Sequence, residues 1–196
     1  NIEGALATLP GARIVCPSFA DDAAGLLRTA MRSRGFTLYL EPKALYNSVE
    51  ASSVVPEEFE VPFGKALIRR EGTDLSMITY GNTTHFCLNV AERLAQEGWS
   101  VEVIDLRSLI PLDKETIYAS VKKTSKALVV HEDKVFSGFG AEIAAGIGTE
   151  LFRYLDAPVQ RVGSVFTPVG FHPILEKAIL PTEDKIYDAA RTLLEY

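Results

Sequence analysis

The stretch LSMITYGNTTHFCLNVAERLAQEGWSVEVIDL, Leu75 to Leu106, decides the fold. It opens on Leu75-Ser-Met-Ile-Thr-Tyr80, a short apolar run that stops at the turn-forming pair Gly81-Asn82. A helix then begins at Thr83 or Thr84 and sets Phe86, Val90 and Leu94 four residues apart on one face, with Gly98 ending it. Val101-Glu-Val-Ile-Asp-Leu106 reads as the next strand. Two strands joined through a helix pair in parallel with a right-handed crossover.

Toward the C-terminus the alternation continues. Asp113 is a plausible N-cap for a helix carrying Ile117 and Val121, and Ala127-Leu-Val-Val130 is a strand running straight into His131-Glu132-Asp133. The loop Ser137-Gly-Phe-Gly140 opens a helix whose core face is Ile143, Ile147 and Leu151, and Val159 to Val162 is a further strand. Thr182 caps a last helix with Ile186, Ala190 and Leu193 inward, and Glu183 and Asp184 sit in its first turn, where the helix dipole favours acids. Repeated β-α alternation implies a three-layer α/β/α domain with a parallel-dominated sheet, spanning 64–196.

Toward the N-terminus, residues 1–46 contain a separate strand–helix–strand unit. Ala12 to Cys16 and Thr37 to Leu40 are its strands, Ser18 with Asp21 has the spacing of a helix N-cap pair, and Leu26, Leu27, Ala30 and Met31 mark the helix face expected to be buried. Two strands and one helix cannot cover both faces of a parallel pair, so this unit needs more sheet than it contains. Residues 47–63, with four acids, two prolines and three serines and no sustained period, read as a strap crossing between the two parts.

Composition narrows the function classes. Twenty Lys and Arg against 26 Asp and Glu give a net charge of −6, which disfavours nonspecific nucleic-acid and anionic-membrane binding. No apolar stretch approaches the roughly 18 residues of a membrane span. Cys16 and Cys87 belong to no CxxC pattern and are expected to be buried thiols of a cytoplasmic protein. No HxxxH, HExxH, GxSxG or P-loop spacing is present, so no metal site is expected.

Ligands in open α/β sheets sit beyond the carboxyl ends of the strands, at helix N-termini, and two loops qualify. Tyr80-Gly81-Asn82-Thr83 could receive an anion, the plainer reading being a turn and a cap. His131 and Glu132 with Gly138 and Gly140 form the second. A histidine at a strand end titrates near neutrality, but Glu132 points away from it if the strand continues, and a structural or interface histidine is the plainer reading. His85 is expected to be solvated, and His172, in a turn-rich loop, to serve a structural or interface role.

Several motifs resemble one family over almost the whole chain. They are Pro10-Gly-Ala-Arg-Ile-Val-Cys-Pro-Ser18, Leu40-Glu-Pro-Lys-Ala-Leu-Tyr46, Val103-Ile-Asp-Leu-Arg-Ser-Leu-Ile-Pro-Leu-Asp113, His131-Glu132 and Gly138-Phe-Gly-Ala-Glu-Ile143. These are similar to the β-subunit of thiamine-diphosphate-dependent 2-oxo acid dehydrogenases of the pyruvate and branched-chain (2-oxoisovalerate) types. Glu41-Pro-Lys and the closing Ala189 to Tyr196 tilt the resemblance toward the branched-chain type.

The resemblance implies that residues 1–46 are the tail of a pyrimidine-binding domain and 64–196 a transketolase C-terminal-like domain. It places the activating glutamate and a His-Ser-Gln run upstream of Asn1, so no catalytic residue is expected within this chain, and His131, Glu132, Gly138 and Gly140 would line an interface or shared site. Thiamine diphosphate and Mg²⁺ would be held by the α-subunit or α-portion, neither bound tightly by this chain. Further implied partners are a lipoyl acyltransferase core, with the Tyr196 carboxylate available for docking, and a second β-portion in a homodimer. Ser33-Arg-Gly35 departs from the family's pattern around a structural monovalent cation, so that ion is not expected. Phe166, before Thr167-Pro168, departs from an acid associated with docking. The rival readings are a deoxyxylulose phosphate synthase-like enzyme, for which Lys134 is the only evident phosphate-gripping residue, and a non-enzymatic assembly module.

Overall fold

The computed structural model describes residues 1–196. The central element is a five-stranded sheet made of β3 (Leu67–Arg70), β4 (Leu75–Thr79), β5 (Val101–Asp105), β7 (Ala127–Lys134) and β8 (Gln160–Ser164), in the order β3-β5-β4-β7-β8. Every pairing is parallel except β3 with β5, at the edge. The pleat of β4 sends Leu75 and Met77 to one face and Ile78 to the other, and each face is covered by its own apolar cluster. On the first face α3 (Thr83–Gln96) and α7 (Glu183–Leu194) bury Val90, Leu94, Ile186, Ala190 and Leu193. On the second, α4 (Lys114–Thr124) and α5 (Gly140–Glu150) bury Ile117, Val121, Ile143 and Ile147. The result is the three-layer arrangement that the alternation implied.

The caps follow the local sequence in this part. Asp113 accepts from Thr116 N at 3.1 Å and from Ala66 N at 2.9 Å, so it both starts α4 and anchors the chain entering β3. Thr182 Oγ1 accepts from Lys185 N at 3.4 Å. His172 caps a short helix, α6 (Pro173–Ile179), its Nδ1 accepting from Ile174 N, where the sequence suggested only turns.

The opening unit comprises α1 (Glu3–Leu6), β1 (Arg13–Val15), α2 (Ala20–Arg32) and β2 (Thr37–Tyr39). β1 and β2 pair in parallel, and the missing sheet is supplied by β6 (Ser108–Ile110), which pairs antiparallel with β1. The Leu106 to Pro111 connection therefore serves both units, a role that no local pattern in Arg-Ser-Leu-Ile reveals.

Two expectations about α2 are corrected. Ser18 is not its cap: the N-cap is Phe19, and Ser18 Oγ instead donates to Asp105 Oδ1 at 3.0 Å and meets Thr84 Oγ1 at 2.9 Å. The cap comes from the strap, where Ala51 O accepts from Ala20 N at 2.9 Å and Ser53 Oγ from Asp21 N at 2.8 Å. The expected buried face is only partly buried: Leu26 is enclosed, while Leu27 and Met31 are 47% and 80% exposed. The strap lies along α2 on its Gly25 side, where Thr29 Oγ1 donates to Val61 O and Arg28 to Phe59 O. A Cβ on Gly25 would come within 2.8 Å of Val61 Cγ2, so the close approach requires glycine.

A buried ionic group locks the opening unit to the main sheet. Arg69 on β3 donates to Asp22 on α2 and, through Nε and Nη2, to Asp105 Oδ2 at 3.1 and 2.9 Å. Arg107 donates to Asp22 Oδ1 at 2.8 Å and to the carbonyl of Lys65. The Arg69 guanidinium also lies 4.1 Å over the Phe19 ring. Two arginines against two aspartates balance the buried charge.

Candidate functional site

The two loops singled out in the sequence meet at one place. β4 and β7 are adjacent and parallel, so their carboxyl ends emerge side by side. Asn82 Nδ2, at the start of α3, donates to Glu132 Oε1 at 2.9 Å, and the Tyr80 and His131 rings lie parallel with centroids 6.3 Å apart. Phe139 presents its edge to Tyr80, also at 6.3 Å.

β7 runs on to Lys134, and strand parity sorts its polar residues. His131 falls on the same face as Val129 and is fully buried, while Glu132 faces the other way, to Asn82. His131 Nδ1 lies 3.0 Å from Asp133 O, a carbonyl that only accepts, so Nδ1 carries the proton and Nε2 is a bare, unpartnered acceptor. Burial, joined by the charge of Arg161, holds this imidazole below its ordinary pKa against the opposing pull of Asp133. It is a neutral ring wedged in the core.

Packing dictates the glycines beside it. A Cβ on Gly140 would overlap His131 Nε2, and one on Gly138 would overlap Lys134 O. Asp133, which the sequence reading passed over, ties this loop down: its carboxylate accepts from Lys134 N at 2.9 Å, Phe139 N at 3.2 Å and, across the molecule, Gly4 N at 2.8 Å. A carboxylate seven residues before a helix start gives no local signal of a partner at position 4.

The expectation for His85 is corrected as well. It is buried, its Nε2 2.8 Å from Ser18 O and its ring 4.7 Å from that of Phe19, because the opening unit covers the start of α3. The anion reading of the Tyr80–Thr83 turn also gives way, and of the plainer reading only the turn holds: the N-cap position is Asn82, and Thr83 does not cap the helix. Thr83 Oγ1 is committed to Tyr80 O and Thr79 Oγ1, and Glu132 places a carboxylate where an anion would sit. Gly81, at φ +60°, makes the turn.

A cavity of about 430 Å³ opens between these strand ends and the opening unit. Its walls include Glu3, Cys16, Leu40, Glu41, Tyr80 and Glu132, and it is lined by no lysine, arginine or histidine. Burial pushes up the Glu3 carboxyl, and burial together with the Glu3 charge pushes up both the Cys16 thiol and the Tyr80 phenol, so thiol and phenol stay protonated at neutral pH. A diphosphate would meet carboxylates here, and the chain has no group of three side chains able to hold a metal ion. These residues do not fit a magnesium–diphosphate group. Tyr196 is exposed at the far end of α7, and Phe166 packs against Phe136 on another surface, the rings tilted by 55° with centroids 4.8 Å apart.

A mostly parallel sheet between two helical layers, with a cavity at its strand ends, defines a three-layer α/β domain. The family model for the transketolase C-terminal domain matches residues 64–186, and the chain belongs to that family. It is 41% identical over 196 residues to the pyruvate dehydrogenase E1 component subunit beta of Staphylococcus aureus, and equally so to that of Bacillus subtilis. It is 39% identical over 197 residues to the 2-oxoisovalerate dehydrogenase subunit beta of B. subtilis. The chain spans 60% of the length of each of these relatives. A solved structure described as a split-gene transketolase, an inactive β4 tetramer, matches with a TM-score of 0.78 at 25% identity, over 98% of this chain and 60% of that one.

Proposed function

We propose that the chain acts as a β-type portion of a 2-oxo acid dehydrogenase of the branched-chain or pyruvate type. The complete enzyme would oxidatively decarboxylate the 2-oxo acid and pass the acyl group to lipoamide, using thiamine diphosphate and Mg²⁺. Identity of about two residues in five, sustained over the whole chain against β-subunits of both types, carries this reading. The cofactor, when bound in the complete enzyme, supplies the electron sink; the protein supplies orientation and charge.

In this reading residues 1–46 belong to the pyrimidine-binding domain, 47–63 form the strap, and 64–196 form the transketolase C-terminal domain. The exposed Leu27, Met31 and Phe36 support that division, since they offer an apolar surface for the rest of the first domain. His131 serves as a packed core group. It holds Tyr80 at the cavity wall and transfers no proton, as its enclosure under Gly140 supports. The acid-lined cavity supports placing the diphosphate on the α-portion. The chain's own contribution is assembly and one wall of a shared site.

Two measurements test this. The 196-residue chain, mixed with the α-portion and a lipoyl acyltransferase core, is expected to co-purify with both, while alone it shows no 2-oxo acid turnover. Turnover by the isolated chain refutes the assignment of the chemistry to other residues. Binding of a sugar phosphate without capture of the acyltransferase refutes the dehydrogenase reading in favour of a synthase-type enzyme.

A further inference from the structure

We propose that the cavity at the seam of the two units binds a small nitrogen cation, an ammonium or amidinium group carried on a short apolar body. Two acceptors in its wall are more than nine-tenths buried and have no protein partner: Glu3 Oε2, in a residue 8% exposed, and the Tyr80 hydroxyl, in one 3% exposed. Leaving such groups unpaired is costly, and a ligand offering several N–H donors relieves both at once. A third acceptor is already oriented: Glu132 is held by Asn82 and, at 3.3 Å, by Asn1 Nδ2.

The sign of the lining selects the ligand. Glu3, Glu41 and Glu132 contribute carboxyls, no basic side chain lines the cavity, and the α-amino group of Asn1 offsets only one of the three. An anion is rejected, and a metal ion finds no three-residue ligand set. An amidinium presents a planar fork that matches a carboxylate with two parallel hydrogen bonds and leaves further N–H groups for a phenol oxygen. Leu40, Pro42 and the Tyr39 ring supply apolar wall, and the volume of about 430 Å³ lies within the usual range for small-molecule sites. The inference goes beyond the dehydrogenase reading and stands on the cavity alone.

The test uses the 196-residue chain with three probes of one shape: benzamidine, the neutral benzamide and the anionic benzoate. Binding is followed by calorimetry and by the amide NMR signals of Gly4, Gly81 and Asn82. Benzamidine is expected to bind saturably and to move those signals, benzamide to bind at least about tenfold more weakly, and benzoate not to bind. Glu3→Gln is expected to weaken benzamidine by about tenfold or more, and Tyr80→Phe by a smaller factor, while Lys122→Ala on the outer surface of α4 leaves it unchanged. If Glu3→Gln does not fold, Glu132→Gln carries the same expectation. Benzoate or benzamide binding as well as benzamidine, no saturable benzamidine binding, or full affinity in the folded carboxyl variants each overturns the proposal.

Discussion

Replacing Asp22 with alanine tests whether the two units are held together by buried charge. Asp22 is 1% exposed and accepts from Arg69 and Arg107, whose side chains are 13% and 10% exposed. Arg69 retains Asp105 in the variant, but Arg107 loses its only carboxylate and keeps the carbonyls of Lys65 and Ala66. Removing one partner of a buried pair costs about 3–5 kcal/mol, because the other charge stays desolvated. At roughly 2–4 °C per kcal/mol for a chain of this size, Tm should fall by about 6–20 °C. Urea unfolding followed by the fluorescence of Trp99 is a demanding assay, since this single tryptophan packs on the α3/α7 face just before β5, whereas Asp105 lies at the other end of that strand. The double variant Asp22→Leu with Arg107→Met removes both charges and should recover most of the loss. A drop below about 1 kcal/mol, or a double variant as unstable as the single, refutes the account.

Gly140→Ala places a methyl on His131 Nε2 and should destabilise by about 1–3 kcal/mol through overpacking, read from the urea midpoint; an unchanged midpoint would show that the loop yields freely. His131 is held below its ordinary pKa of 6.5, chiefly by burial, so its contribution is fully present above that pH and is lost as pH falls toward the folded-state value. The stability gap between the wild type and His131→Gln should therefore narrow between about pH 7.5 and pH 5.5, whereas a constant gap would mean that the ring is solvated. Asp113→Ala removes a helix cap and the partner of Ala66 N, and should cost about 1–2 kcal/mol by thermal unfolding. Leu27→Ser, on an exposed face, should change the chain's own stability by less than about 0.5 kcal/mol by urea unfolding; a large stability loss would place that face in a core.

The main domain could be read from local pattern because its chemistry is local. The short apolar runs and the period-four spacing in Leu75–Leu106, the carboxylate of Asp113 and the hydroxyl of Thr182 each act within a few residues, and each appears where the local sequence puts it. The parity of β7 likewise anticipated that Glu132 would turn from His131. What escaped were long-range contacts between residues with no local signature. Ser18 has the spacing of a cap yet bonds Asp105, because the strap brings Ala51 and Ser53 to the helix end first. His85 looks solvated on its own helix and is buried by Phe19 from another unit.

The candidate site divides in the same way. Its loops are visible in the chain as glycine-bearing turns at strand ends, and its acidity follows from which side chains stand there. That Glu3, Tyr80 and Glu132 share one cavity depends on β6 adding itself to β1 and on two arginines clasping Asp22. Periodicity dictates which elements form, since a helix or strand is a repeated short-range solution to backbone hydrogen bonding and burial. Which of them close around a cavity is set by strand pairing and charge neutralisation between residues up to ninety-six positions apart, and only the folded chain brings those together.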